Sequence, residues 1–148
     1  MNKFSIAVAA GTLLAAPAFA EGHASGDAAA GEAEFSQCQT CHVIADDEGN
    51  TLAGRNARTG PNLYALVGRQ AGIIDGFRYS PAMVEAGEGG LAWDEESFVA
   101  YVQDPTAYLR EVLDDNRARG KMAYKVRAEE DAVNLWAYIA SLQPEPES

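Results

Sequence analysis

Two cysteines stand three positions apart and a histidine follows at once, in Cys38-Gln39-Thr40-Cys41-His42. One turn of chain therefore presents two sulfurs and an imidazole together. The sequence holds no other cysteine and one other histidine, His23. A zinc site would need four ligands, and His23 sits in a small, polar stretch near the start of the chain. A thioredoxin-like redox pair would lie beside a strand in a βαβ unit, which the sequence does not contain. A plain disulfide would leave His42 without a purpose. C-x-x-C-H is the attachment signature of c-type haem: two thiols add across the two vinyl groups and the adjacent histidine ligates the iron. Cys38 and Cys41 are thus read as attachment points and His42 as an iron ligand, for one covalent haem c per chain.

A haem iron then needs either a sixth ligand or an open site, and that choice separates a carrier from an enzyme. Beyond Met1 the chain has two methionines, Met83 and Met122. Met83 falls in a short helical pattern, where a flexible thioether commonly fills core gaps. Met122 lies in Arg119-Gly-Lys-Met-Ala-Tyr-Lys125, a loop that can bring sulfur over a porphyrin face. Spacing favours Met122 and leaves Met83 as the alternative.

The elements that must position these residues read as helices joined by long, glycine-bearing loops. Asp27 can cap a helix from Ala28, with Gly31, Phe35 and Cys38 along one face. Ser80-Pro81 opens a short helix stopped near Gly87. Asp94 caps a helix whose early acids, Glu95 and Glu96, suit its dipole. Asp104-Pro105 ends that helix and starts another through Leu109 and Val112. Glu129-Glu130-Asp131 opens an amphipathic helix carrying Leu135, Trp136, Ile139 and Leu142. Residues 42–80 show no sustained period, and no alternating run of four or more residues has strand composition. The class is all-α. So few short helices and so long an irregular stretch bury little apolar surface unaided, and a large apolar group in the middle resolves the difficulty.

Composition sets the remaining bounds. With 148 residues there is room for one domain. A formal charge of −11 disfavours phosphate-driven binding to nucleic acid. Residues 1–20 read as a signal peptide: Asn2 and Lys3, an apolar stretch from Phe4 to Ala16, then Ala18-Phe19-Ala20 before Glu21. That stretch is too short to span a bilayer, so no membrane anchor is expected. The organisation expected is signal peptide 1–20, a mobile lead-in 21–26, a single domain 27–143 and a tail 144–148, exported to the periplasm.

With these residues in view, the sequence resembles the class I c-type cytochromes, and among them the larger bacterial cytochrome c2 proteins of purple photosynthetic bacteria. The likeness runs from about Gly26 to Leu142. It rests on Gly31 and Phe35, the Cys38–His42 motif, Thr59-Gly-Pro-Asn-Leu63, Gly68-Arg69, Leu91-Ala-Trp93, Tyr101, Asp104-Pro105, Lys121-Met-Ala-Tyr124 and Leu135-Trp-Ala-Tyr138. The resemblance implies a class I cytochrome c fold, with Met122 as the second axial ligand. It implies that Pro61 offers its carbonyl to the ligand histidine, that Tyr101 faces the ligand sulfur, and that Arg69, Tyr79 and Trp93 hold the haem propionates. Gly31 and Phe35 would meet Leu135 and Tyr138 where the terminal helices cross. Tyr124 stands where the family usually carries Phe, and Gly120 where it often carries Thr. Lysines are few, which departs from the family's lysine-ring docking.

The function implied is single-electron transfer without enzymatic activity, in a monomer taking electrons from a cytochrome bc1 complex to a photosynthetic reaction centre or a terminal oxidase. The alternatives are a haem enzyme or gas-binding protein with a displaceable Met122, and a cytochrome subunit of a larger oxidoreductase. Charge bookkeeping adds one expectation of its own. Past residue 20 the chain has ten basic side chains, and residues 110–127 hold six of them against three acids. Arg117, Arg119, Lys121, Lys125 and Arg127 in that segment form a candidate docking patch for an acidic partner.

Overall fold

Asp27 accepts hydrogen bonds from the Ala29 and Ala30 amides at 2.8 and 3.1 Å, satisfying two of the donors that a helix start leaves open. The helix it caps, α1 (Ala28–Phe35), opens a computed structural model that describes residues 24–144. The expected signal peptide, His23 and the last four residues lie outside the described residues. After α1 come two short strands, β1 (Val43–Ala45) and β2 (Thr51–Gly54), then α2 (Pro81–Glu88), α3 (Glu95–Gln103), α4 (Pro105–Leu113) and α5 (Glu129–Ser141).

The helix starts follow their caps. Ser80 accepts from the Met83 amide with Pro81 in the first turn of α2. Asp94 and Ser97 form a reciprocal capping box on α3. Asp104 closes α3 and caps α4 through the Ala107 amide. On α5 no side chain caps the start, and the three first-turn acids complement the exposed amides instead.

The β1–β2 pair is an addition to the all-α expectation. It is an antiparallel hairpin pairing Val43 with Gly54 and Ile44 with Ala53, with a register shift after Ile44. Neither strand exceeds four residues, too short for alternation to show. The turn holds it: the Asp46 carboxylate accepts from the Glu48 and Asn50 amides, and Gly49 takes φ +87°. Ile44, fully buried, anchors the pair to the core.

The core forms where α1 crosses α5. Phe35 packs on Tyr138 with ring centroids 5.5 Å apart, and Phe98 of α3 packs on Trp136 at 5.3 Å. The chain ahead of α1 is tied down as well. The Ser25 amide donates to Glu95 at 2.7 Å and the Asp27 amide to Asn134 at 2.8 Å. Residues 24–26, part of the expected mobile lead-in, are thus fastened to α3 and α5.

Candidate haem site

Beyond Phe35 the chain continues in helical turns. The Cys38 amide donates to Phe35 at 2.9 Å, and the Cys41 and His42 amides both donate to the Cys38 carbonyl, at 3.0 and 2.9 Å. This winding brings Cys38, Cys41 and His42 to one cavity of about 340 Å³. The two thiols are free, not joined to each other. Burial first, then Glu34, then Cys41, push the Cys38 thiol up to about 11.

His42 is fixed from behind. Its Nδ1–H donates to the Pro61 carbonyl at 2.9 Å, which leaves the Nε2 lone pair available. Burial pulls the imidazolium below its ordinary range while the Pro61 carbonyl pulls the other way. A neutral ring of defined tautomer, as a metal ligand must be, is the result. Gly60 makes room for it: a Cβ there would lie 2.4 Å from the ring's Cε1.

The same cavity is also lined by Tyr79, Trp93, Tyr101 and Met122. Trp93 and Tyr101 meet edge to face at 5.1 Å. Burial, with Tyr79 second, pushes the Tyr101 phenol up to about 12, so at neutral pH it is a hydrogen-bond donor. Backbone bonds between residues 68–71 and 91–93 hold Arg69 and Trp93, among them Gly68 to Trp93 at 2.7 Å and Trp93 to Arg69 at 3.0 Å. The loop carrying Met122 is pinned at both ends. The Gly120 amide donates to Thr106 at 3.2 Å, the Val126 amide to Val102 at 2.9 Å, and Lys121 Nζ reaches across to the Arg78 carbonyl.

Whether these residues fit a haem can be judged on two features. The cavity wall is largely apolar, with Leu63, Leu66, Phe98 and Ile139 among its residues. Arg69 also lines it, half-buried, and among the described residues no carboxylate pairs with it. Its donors go partly to the Tyr64 carbonyl at 2.6 Å and the Asn62 carbonyl at 3.1 Å. A half-buried guanidinium with donors left over suits an anionic substituent on an otherwise apolar ligand. The residues fit the group.

Every residue expected to bind or ligate the cofactor therefore lines one cavity. Sequence reasoning missed several others there. Met83, expected as core and kept as the alternative ligand, was not one of these: it is 6% exposed and lines the cavity together with Met122. Phe77, Ser80 and Val102 carried no signal beyond apolar or capping character. The docking candidates divide. Lys121 lines the cavity, and Lys125 and Arg127 line an adjoining groove with the exposed Tyr124. Arg117, paired with Asp115 at 3.3 Å, and Arg119 line neither.

Short helices and loops wrapped around a cavity that gathers C-x-x-C-H, a tyrosine pair and a loop methionine define a class I cytochrome c. No protein-family model matches the chain. Cytochrome c2 of Rhodovulum adriaticum is 65% identical over 118 residues, covering 80% of this chain and 94% of that protein. Among solved structures, cytochrome c2 from Rhodobacter sphaeroides is 57% identical with a TM-score of 0.80, over 82% of this chain and all of that one. Ferric cytochrome c-550 from Paracoccus versutus is 34% identical with a TM-score of 0.76, over 81% of this chain and all of that one. The chain belongs to the cytochrome c2 family. It is a c-type cytochrome that binds one covalently attached haem c and carries electrons between redox complexes.

Proposed function

We propose that the chain is a periplasmic one-electron carrier with its haem attached through Cys38 and Cys41 and its iron ligated by His42 and Met122. One observation carries this: His42 and Met122 line the same cavity as both thiols, each on a loop fastened by hydrogen bonds. The haem supplies the redox couple. The chain's own part is to hold two strong ligands in a buried, apolar setting. Ligation by His42 and Met122 together would leave the iron no open position for a substrate, which favours transfer over catalysis. Histidine–methionine ligation and burial both favour the reduced state, because the less charged iron is cheaper to keep from water. Pro61 keeps His42 oriented, Tyr101 offers its hydroxyl toward the Met122 side, and Arg69, Tyr79 and Trp93 hold the propionates.

Export rests on the three-part pattern of residues 1–20, and haem attachment to such motifs takes place outside the cytoplasm. Among the described residues no helix is long and apolar enough to cross a membrane. The mature protein begins at Glu21, and its cytochrome c domain is 27–143. The donor is a cytochrome bc1 complex, and the acceptor a photosynthetic reaction centre or a terminal oxidase. Arg117, Arg119, Lys121, Lys125 and Arg127 form the docking patch, with Lys121 nearest the cavity. Absorption spectra test the ligation. The oxidised protein should show the weak far-red band of methionine–iron ligation; Met122→Ala should abolish it and Met83→Leu should not. The opposite pattern would transfer the ligand role to Met83.

A further inference from the structure

Pro61 has no amide hydrogen, so the segment that must aim its carbonyl at His42 lacks one rung of any backbone ladder. Yet residues 60–64 run beside residues 41–45 and are laced to them. The Gly60 amide donates to the Cys41 carbonyl at 2.7 Å and the Leu63 amide to the Val43 carbonyl at 3.0 Å. Past these two bonds a side chain extends the lacing to Ala45. The Asn62 Oδ1 accepts from the Ala45 amide and the Tyr64 amide, both at 3.0 Å. Its Nδ2 donates to the Ala45 carbonyl at 2.7 Å. The Asn62 carbonyl takes the Arg69 guanidinium at 3.1 Å. Side chain and backbone together thus fix Asn62 by four bonds, immediately next to the carbonyl that His42 uses.

We infer that Asn62 is a positioning residue for the iron's reduction potential, acting through the Pro61 carbonyl and the His42 Nδ1–H. The inference rests on His42 being an iron ligand, as proposed above. A hydrogen bond from a ligand imidazole to a carbonyl makes the imidazole a stronger donor to the metal, and this favours the oxidised iron. Asn62 keeps that bond short by preventing the Pro61 peptide from rotating. Asparagine suits the task because one planar amide accepts twice and donates once at a single point. Loss of the amide should lengthen the His42–Pro61 bond, weaken donation and favour the reduced iron.

The test uses the haem-loaded protein. In Asn62→Ala, hydrogen exchange at His42 Nδ1–H should accelerate at least tenfold, and the equilibrium with a reference redox couple should move at least threefold toward the reduced protein. Ala53→Gly, in the neighbouring strand, is the control for general loosening and should change neither. If Asn62→Ala moves neither quantity, or Ala53→Gly moves both equally, the proposal is overturned. Should Asn62→Ala fail to mature, wild-type exchange decides. The Ala45 and Tyr64 amides and the His42 Nδ1–H should then open together, and clearly separate rates would overturn it. Paramagnetic shifts of the His42 ring in the oxidised wild type report ligation separately. Their absence defeats the ligand assignment, while the exchange data still judge the Asn62 contact.

Discussion

Gly31 of α1 lies so near Asn134 of α5 that a Cβ on the glycine would fall 1.9 Å from the Asn134 carbonyl oxygen. The obstacle is backbone and cannot swing aside. On an exposed helix, alanine would be the better helix former by about 1 kcal/mol. Here it must push the two terminal helices apart, at the crossing where Phe35 rests on Tyr138. Gly31→Ala should therefore cost about 2 kcal/mol net, lowering Tm by roughly 6–10 °C for a chain of this size. Thermal unfolding of the haem-loaded variant measures it, and an unchanged Tm would mean that the crossing is looser than this.

Gly60→Ala should act on the site and not on the core. Its Cβ would meet three atoms of the His42 ring, at 2.4, 2.6 and 2.8 Å. The ring must turn away and loses its alignment with the Pro61 carbonyl. The expected outcome is a several-fold lower ratio of haem absorbance to protein absorbance after expression and purification. A normal ratio with an unchanged far-red band would show that the 60–61 peptide yields easily.

Cys38, Cys41 and His42 were legible because attachment chemistry dictates their spacing, and four helix starts because Asp27, Ser80, Asp94 and Asp104 announce them locally. The resemblance carried Pro61, Arg69, Tyr79, Trp93 and Tyr101 to one cavity, where the structure gathers them. What stayed hidden depends on partners remote in sequence. Asn62 stands in the Thr59–Leu63 block of the resemblance but carries no role of its own until Ala45, seventeen positions earlier, is seen to take both sides of its amide. The hairpin escaped because a strand of three residues carries no period, although Asp46 and Gly49 mark its turn. The crossing of α1 and α5 was expected at Leu135 and Tyr138. Tyr138 does meet Gly31, with its Cβ 2.8 Å from where a glycine Cβ would stand, but the closest approach comes from the Asn134 backbone, which no apolar period announces.

Acid should weaken the fold partly through α3. The Ser97 hydroxyl, and after it the Ser97 amide, hold the Asp94 carboxyl below its ordinary value of about 3.9. A carboxylate whose folded pKa is depressed contributes stability above the unfolded pKa and loses it as pH falls through the lower folded one. An asparagine in its place would still cap the helix but carry no charge. Asp94→Asn should thus cost on the order of 0.5 kcal/mol at pH 6–7, small because the side chain faces solvent. The gap from wild type should close as pH falls through the depressed folded value, below the ordinary carboxylate range. Tm recorded across roughly pH 2.5–7 for both proteins tests this, and a gap that persists in acid would assign the loss to packing.

Docking offers the sharpest test of the charge pattern. Residues 110–127 carry a net +3 while the rest of the chain after residue 20 carries −15. Such separation gives a dipole that orients approach to an acidic partner and raises the encounter rate. The structure refines which charges matter. Lys121 Nζ lies 5.8 Å from the centroid of the Phe77 ring and bonds the Arg78 carbonyl, at the cavity proposed above for the haem. Lys125 is paired with Asp104 at 2.6 Å, so much of its local field is cancelled. Arg127 has no such partner among the described residues and lines the groove beside Tyr124. Steering should weaken as the Debye length shrinks from about 30 Å at 0.01 M salt to about 10 Å at 0.1 M. The bimolecular transfer rate to the acceptor complex should fall several-fold across that range for wild type. The double reversal Lys121→Glu with Lys125→Glu should lower the low-salt rate and flatten or invert the salt dependence, and Arg127→Glu alone should lower it more than Lys125→Glu alone. A wild-type rate that rises with salt, or one indifferent to all three reversals, would exclude this patch as the docking face.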